Sequence, residues 1–277
     1  MSADLPAELP ADLHDRLCAL LPGLVAEVFA QDVITEDKGS DGLDLVTSID
    51  LAMQARLVTE LAALWPGSVV VGEEDYAAQE GDAPIWLVDP LDGTVNFVAD
   101  LPAYGVAVVL LVAGRPVLAA VYDVPQGDLY SAEAGRGARL NGAPLRRRSH
   151  KARLAVVSSG LLKDLATRAP EALAELLEQF KLRNFGSQAL HLCYAAAGRV
   201  CLVASREAKG WDDLAGALIA QEAGLLYGSY APPADRSPRP MDQDQLSLCA
   251  PADLFDRTTS VFARAAAPQA APLNPQG

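Results

Sequence analysis

Residues 86–97 read WLVDPLDGTVNF, and no other stretch constrains the fold as much. Its apolar start has the composition of a buried strand. It then runs straight into two aspartates three residues apart, Asp89 and Asp92, crowded by proline, glycine and threonine. A carboxylate at the mouth of an apolar core is costly unless something compensates it. Two readings are open here: plain Asp-Pro turn chemistry, or a socket for a cation.

The flanking sequence alternates helical and extended patterns. Residues 13–30 have helical apolar spacing, and 35–44 (TEDKGSDGLD) form a polar loop or loose hairpin. Residues 47–67 predict a helix with Thr47 as N-cap, Asp50 three positions on and Trp65-Pro66-Gly67 as its stop. SVVVGEED (68–75) is a short strand ending in acids. Residues 104–135 read as strands broken at Gly114-Arg115 and Pro125-Gln126-Gly127, and Asn141-Gly142 marks a hairpin. Farther on, 154–160 and 200–205 read as strands, 182–187 as strand then turn, and 170–180, 187–200 and 211–224 as helices. Residues 225–245 are proline-rich and irregular before a closing strand, LSLCA. This alternation predicts a layered α/β or α+β fold.

Composition narrows the function classes. The net charge of −14 repels nucleic acid and anionic membranes, and it repels an anionic substrate too unless bound cations reverse the sign locally. Cys18, Cys193, Cys201 and Cys249 form no C-x-x-C pair and have no zinc-ligand spacing, so they read as reduced, buried thiols. The acidic, proline-containing start is no signal peptide, and the longest apolar run, 106–112, is too short to span a bilayer. A cytoplasmic protein is expected. His14, His150 and His191 share no motif with a nucleophile, which argues against Ser-His-Asp chemistry. The run LRRRSHK (145–151) lacks interleaved aromatics and reads as a solvated connector.

Acids recur where elements end. Glu73 and Glu74 close one strand, Asp89 another with Asp92 just beyond, and Asp50 and Asp212 open helices. Singly, Asp50 and Asp212 are explained by the helix dipole and Glu73-Glu74 by a solvated loop. Together they fit a different need. Mg²⁺ takes hard oxygen ligands, and paired ions about 3.5–4 Å apart require a bridging carboxylate and private ligands for each. DPLD supplies both carboxylates and, through Pro90, a stiff turn that turns the Leu91 carbonyl inward. Gly93 admits a ligand close to the backbone, and Thr94 opens a helix whose free N–H groups suit phosphate. A structural Ca²⁺ site is the weaker reading, because no D-x-D-x-D-G loop occurs and the acids come from four separate segments.

WLVDPLDGTVNF resembles the D-P-[ILV]-D-G-T-x-N-[FY] signature of the inositol monophosphatase family. VVVGEED resembles that family's G-E-E strand, LDLVTSID its D-x-V-T-x-x-D, and WDDLAGALIAQEAG its W-D-x-A-A-G signature. The four occur in family order between about Lys38 and Gly224. The resemblance implies an αβαβα five-layer sandwich with mixed and antiparallel sheets, commonly a homodimer, and lithium-sensitive, magnesium-dependent phosphatase chemistry. It implies Glu73, Asp89 and Leu91 as ligands of one Mg²⁺ and Asp89, Asp92 and Asp212 of a second, with a third, weaker ion near Glu73. Thr94, hydrogen-bonded to Asp50, would orient the attacking water; Gly93 and Thr94 would hold the phosphate; Glu74 and Lys38 match positions near the metals. The expected division is 1–150 with the metal and phosphate motifs, 151–264 with substrate-recognition motifs, and a disordered tail at 265–277.

The implied substrate is a small phosphorylated metabolite, and its identity is open. Gly186 and Ser187 match the family's substrate segment, whereas Gln188 stands where a small residue is usual. The glutamate that grips ring hydroxyls, seven residues before the W-D aspartate, is Ser205 here, with Glu207 out of register. Lys209 precedes GWDD and is expected to add a positive contact. A polyol or sugar phosphate such as inositol 1-phosphate, histidinol phosphate, fructose 1,6-bisphosphate and adenosine 3′,5′-bisphosphate all stay open. So does an inactive relative that works by binding a protein partner, although a binder has no need of the full ligand set.

Overall fold

The computed structural model describes residues 9–37, 45–76, 83–231 and 239–266. In chain order the elements are α1 (Leu13–Val28), β1 (Thr35–Asp37), β2 (Leu45–Thr47), α2 (Ser48–Leu64), β3 (Val69–Gly72), β4 (Ile85–Asp92), α3 (Thr94–Val98), β5 (Gly105–Val112), β6 (Arg115–Asp123), β7 (Asp128–Glu133), β8 (Ala138–Leu140) and β9 (Ala143–Pro144). There follow β10 (Leu154–Val157), α4 (Ser159–Arg168), α5 (Pro170–Gln179), β11 (Lys181–Arg183), α6 (Gln188–Ala196), β12 (Leu202–Ser205), α7 (Gly210–Glu222), β13 (Leu226–Ser229), β14 (Ser247–Ala250) and α8 (Ala252–Ala266). None of the described helices is long and apolar enough to cross a membrane.

Two sheets form the frame. One has seven strands in sequential order from β3 to β9, parallel only at β3–β4; the other runs β11-β10-β12-β14-β13, with both parallel and antiparallel pairs. Every residue of β5 is buried, which explains its unbroken apolar run. Its even positions (Val106, Val108, Leu110) pack with α1 and α2, and its odd ones (Ala107, Val109, Leu111) with α6 and α7. Beyond α6 and α7 comes the inner face of the second sheet (Val156, Val203, Cys249); its outer face (Ala155, Leu202, Leu248) packs on α4, α5 and α8. The result is helix–sheet–helix–sheet–helix, the five layers expected. The Leu145–Lys151 connector joins the sheets and is largely exposed, as its composition predicts.

Three expectations need correction. The irregular stretch after Gly224 contains a regular strand, β13, paired with β14 along its length. Helices α4 and α8 were not foreseen, although α8 buries a regular stripe of Phe255, Thr258, Val261, Phe262 and Ala265. Ala265 and Ala266, expected in a disordered tail, instead finish α8, and Ala265 is buried; the rest of that expectation, 267–277, lies outside the described residues.

Candidate active site

Register brings the first acids together. β3 runs parallel to β4 with Val71 opposite Leu87 and Gly72 opposite Val88, so Glu73 emerges beside Asp89, its N–H donating to the Val88 carbonyl at 3.3 Å. Alternation then sets direction. Leu87 faces α6 and α7, so Asp89 does too, while Trp86 and Val88 face α1 and α2; a register shift between Asp89 and Asp92 then turns Leu91 to the α1 and α2 side as well. α7 begins at Gly210 rather than after Trp211, which places Asp212 in its first turn, where its carboxylate accepts from the Lys209 N–H at 2.6 Å. Carboxylate oxygens of Glu73, Asp89 and Asp212 thus lie within 4.8 Å of one another.

Asp92 is held differently. It accepts from Ser187 Oγ (2.6 Å), the Ala189 N–H (2.6 Å) and the Gln188 N–H (3.1 Å) at the start of α6. Burial, followed by the charges of Glu73, Asp92 and Asp212, pushes Asp89 well above the usual carboxylate range. Burial, then Asp92 and Glu73, does the same to Asp212. Asp92 is raised by burial to about 6 even though the three donors pull it down. A set of partly to fully buried, mutually repelling oxygen ligands, with no cationic side chain among the described residues that form it, fits a hard divalent ion. The donor set therefore fits Mg²⁺.

The other predicted residues surround this cluster. Thr47 and Asp50 cap α2 reciprocally, so Asp50 is buried and fixed. The Thr94 hydroxyl lies 3.0 Å from both Asp50 Oδ1 and the Leu91 carbonyl. Gly93 has φ +97°, and a Cβ there would sit 2.9 Å from the Ala103 carbonyl. Gly186 has φ +81°, and a Cβ there would sit 2.5 Å from Asn96 Nδ2, which donates to the Ala103 and Phe185 carbonyls. Both positions require glycine, and they let the 93 and 186 loops meet. A cavity of about 200 Å³ over Glu73, Asp89, Asp92, Gly93 and Thr94 adjoins one of about 430 Å³, with Asp92, Val95, Gly186 and Asp212 lining both.

Gln188 lines the larger cavity, but both ends of its side-chain amide are occupied, by Asp213 and His191. Ser187 is buried against Asp92. Lys209 is not brought in: its ammonium pairs with Asp244 Oδ1, 2.7 Å off, in a separate cavity, while its backbone N–H donates to Asp212. Lys38 lies outside the described residues. Sequence reasoning missed Asn96, Ser158, Asn184 and His191 as cavity walls, and it set Glu207 aside as out of register. Glu207 does line the cavity, because the chain turns after β12. Its carboxylate accepts from Ser158 Oγ (2.6 Å) and the Gly160 N–H (2.9 Å). A Ser-His-Asp contact also exists: His14 Nε2 is 3.1 Å from Ser131 Oγ, and His14 Nδ1 is 3.3 Å from Asp15 Oδ1. Ser131 is 1% exposed on β7 beneath α1, so this contact is packing and closed to substrate.

Comparison with known proteins points the same way. The sequence profile of the inositol monophosphatase family matches residues 17–262. The inositol-1-monophosphatase SuhB of Mycobacterium tuberculosis is 38% identical over 231 residues, 77% of this chain and 80% of that protein. The Nus factor SuhB of Vibrio cholerae is 34% identical over 208 residues, 73% of this chain and 77% of its own. An IMPase/NADP phosphatase solved with Mg²⁺ and phosphate superposes with TM-score 0.75 at 21% identity, covering 89% of this chain and 93% of that one. The chain belongs to the inositol monophosphatase family of phosphoric monoester hydrolases.

Proposed function

We propose that this chain hydrolyses small phosphate monoesters in a Mg²⁺-dependent reaction, with a hydroxylated, polyol-type alcohol as leaving group. The observation that carries the reading is the convergence of Glu73, Asp89 and Asp212 from three separate segments to within 4.8 Å. The Leu91 carbonyl and Asp92 complete the ligand set for two ions, with a third near Glu73. Bound Mg²⁺ supplies charge neutralisation at the phosphate and activation of a water. The residues do the positioning. Thr94, donating to Asp50, leaves its oxygen free to accept from that water and fix its direction. The backbone of Gly93 and Thr94 seats the phosphate, and Gly186, Ser187 and Gln188 border the leaving group. Pre-set geometry of this kind supplies most of the acceleration in phosphoryl transfer.

Cavity chemistry supports the choice of leaving group. Asn96, Ser158, Asn184, Ser205 and Glu207 offer hydrogen-bond partners to hydroxyls, and no Lys or Arg is among the described lining residues. A second phosphate would meet Glu207 instead of a cation. The test is phosphate release from inositol 1-phosphate, histidinol phosphate, fructose 1,6-bisphosphate and adenosine 3′,5′-bisphosphate, each with millimolar Mg²⁺ and with EDTA. Inositol 1-phosphate is expected to be the best of these by kcat/KM, and EDTA to abolish every rate. Preference for a bisphosphate would overturn the leaving-group assignment, and no turnover of any ester would overturn the reaction. The Nus-factor name of the Vibrio relative favours a second reading, a partner-binding role; an ester-inactive chain that is pulled down with one specific partner would establish it.

A further inference from the structure

Asp92 and Asp212 come from opposite parts of the chain, and no single element sets their spacing. Asp92 is gripped by the start of α6, and Asp212 rides on the start of α7. The two helices pack closely at Gly216, where a Cβ would lie 2.6 Å from Leu192 Cβ and 3.0 Å from the Ala189 carbonyl. That contact works as a fulcrum, and a second tie is needed at the site end. The chain has one. Gln188 Nε2 donates to Asp213 Oδ1 at 2.7 Å, joining the residue beside Asp212 to a residue whose own N–H binds Asp92.

The direction of this bond is imposed by its surroundings. The Phe185 N–H donates to His191 Nε2 at 3.0 Å. A neutral imidazole has one N–H, so His191 carries it on Nδ1 and donates to Gln188 Oε1, 3.2 Å away. The amide must then turn its NH₂ to Asp213. Asp213 is fully buried, with its second oxygen accepting from the Tyr227 hydroxyl at 3.0 Å. Both ends of the tie are therefore anchored.

We propose that the Gln188–Asp213 bond is a strut that sets the Asp92–Asp212 separation and so tunes cation affinity at that side of the site; the inference rests on the metal reading above. Gln188 and Asp213 are positioning residues here. Gln188 replaces a residue that is small in the family pattern, and Asp213 is the acceptor that makes the replacement useful.

The experiment is calorimetric titration of Mg²⁺ into the full chain, alongside its activity. Gln188→Ala, checked for folding by circular dichroism, is expected to weaken Mg²⁺ binding about tenfold, the usual scale for residues that orient ligands. Gln188→Glu sets a carboxylate against Asp213 and is expected to weaken it further. Asp213→Asn keeps an acceptor for Gln188 and is expected to bind within about twofold of wild type, the conservative rescue that a bond, as opposed to a charge, predicts. Wild-type affinity in Gln188→Ala would overturn the strut. So would equal loss in Asp213→Asn, which would make the charge of Asp213 responsible. A wild-type chain that binds no Mg²⁺ would overturn the metal reading itself, whereas one that binds Mg²⁺ and hydrolyses esters while Gln188→Ala behaves identically removes the strut alone.

Discussion

The two walls of the site are built in opposite ways. The wall at Glu73 and Asp89 stands on the paired parallel strands β3 and β4, and burial together with the charges of Glu73, Asp92 and Asp212 raises the Asp89 carboxyl. The wall formed by residues 184–188 and 205–208 is mostly loop and helix start, and its side chains are already bonded at Gln188, to Asp213 and His191, and at Glu207, to Ser158 and Gly160. Converging like charge on a rigid frame is a device for holding cations and driving chemistry. A satisfied wall on loops can vary without disturbing that chemistry, which is where selectivity resides.

The contrast can be broken most directly at Asp89. Asp89→Asn removes a ligand and also a buried repulsion. Activity should fall by more than about a hundredfold, beyond the scale of orienting residues, while the melting temperature in EDTA stays level or rises. An active Asp89→Asn enzyme would mean that the strand wall is not the cation seat. Thr94→Ala comes next. Loss of the hydroxyl between Asp50 and the Leu91 carbonyl should lower kcat about 10²-fold, the scale of a proton-handling contact, and Thr94→Ser should restore it. An equal loss in Thr94→Ser would assign the effect to the methyl group and to packing.

The same contrast explains what the sequence disclosed. The strand wall was legible because its acids follow runs whose alternation fixes which face they take: Leu87 inward on the α7 side requires Asp89 there also. The Thr47–Asp50 capping box was legible for the same reason, since it depends on neighbours in sequence. The loop wall was not. Lys209 lies three residues before Asp212 yet its ammonium goes to Asp244, a partner thirty-five residues on. Glu207, dismissed by counting back from Asp212, reaches the cavity because a turn follows β12. Local periodicity has no information on such long-range pairings. Helices α4 and α8 were missed on similar grounds, as their apolar faces become meaningful only against the outer face of the second sheet.

Titration without metal should sharpen the difference between the walls. Asp89, Asp92 and Asp212 all have folded pKa values above the unfolded carboxylate value, Asp92 at about 6. The folded state then holds more protons than the unfolded chain. Its stability in EDTA must fall as pH rises from about 4 through 6 and beyond, the reverse of an ion-paired aspartate. Mg²⁺ binds the deprotonated form, so the stabilisation it gives should grow over the same window. Melting curves from pH 4 to pH 8 with EDTA and with Mg²⁺ measure both slopes. Parallel curves would show that these carboxylates are not the metal seat.

The smallest expected effect lies at Glu207, and it tests the loop wall alone. Glu207→Gln keeps an oxygen to accept from Ser158 Oγ or the Gly160 N–H, so the start of α4 stays anchored and melting should remain close to wild type. The charge facing the cavity is lost. If that wall reads hydroxyls of the leaving group, KM for inositol 1-phosphate should rise several-fold with kcat nearly unchanged, the pattern for a contact made equally in ground and transition states. Hydrolysis of p-nitrophenyl phosphate, which has no hydroxyls to offer, should be unaffected. An equal change for both esters would mean that Glu207 acts through the α4 anchor and the shape of the cavity; no change for either would move selection to Asn96, Asn184 and the 186–188 turn. Only a change confined to the hydroxylated ester assigns recognition to the loop wall and leaves the chemistry with the strands.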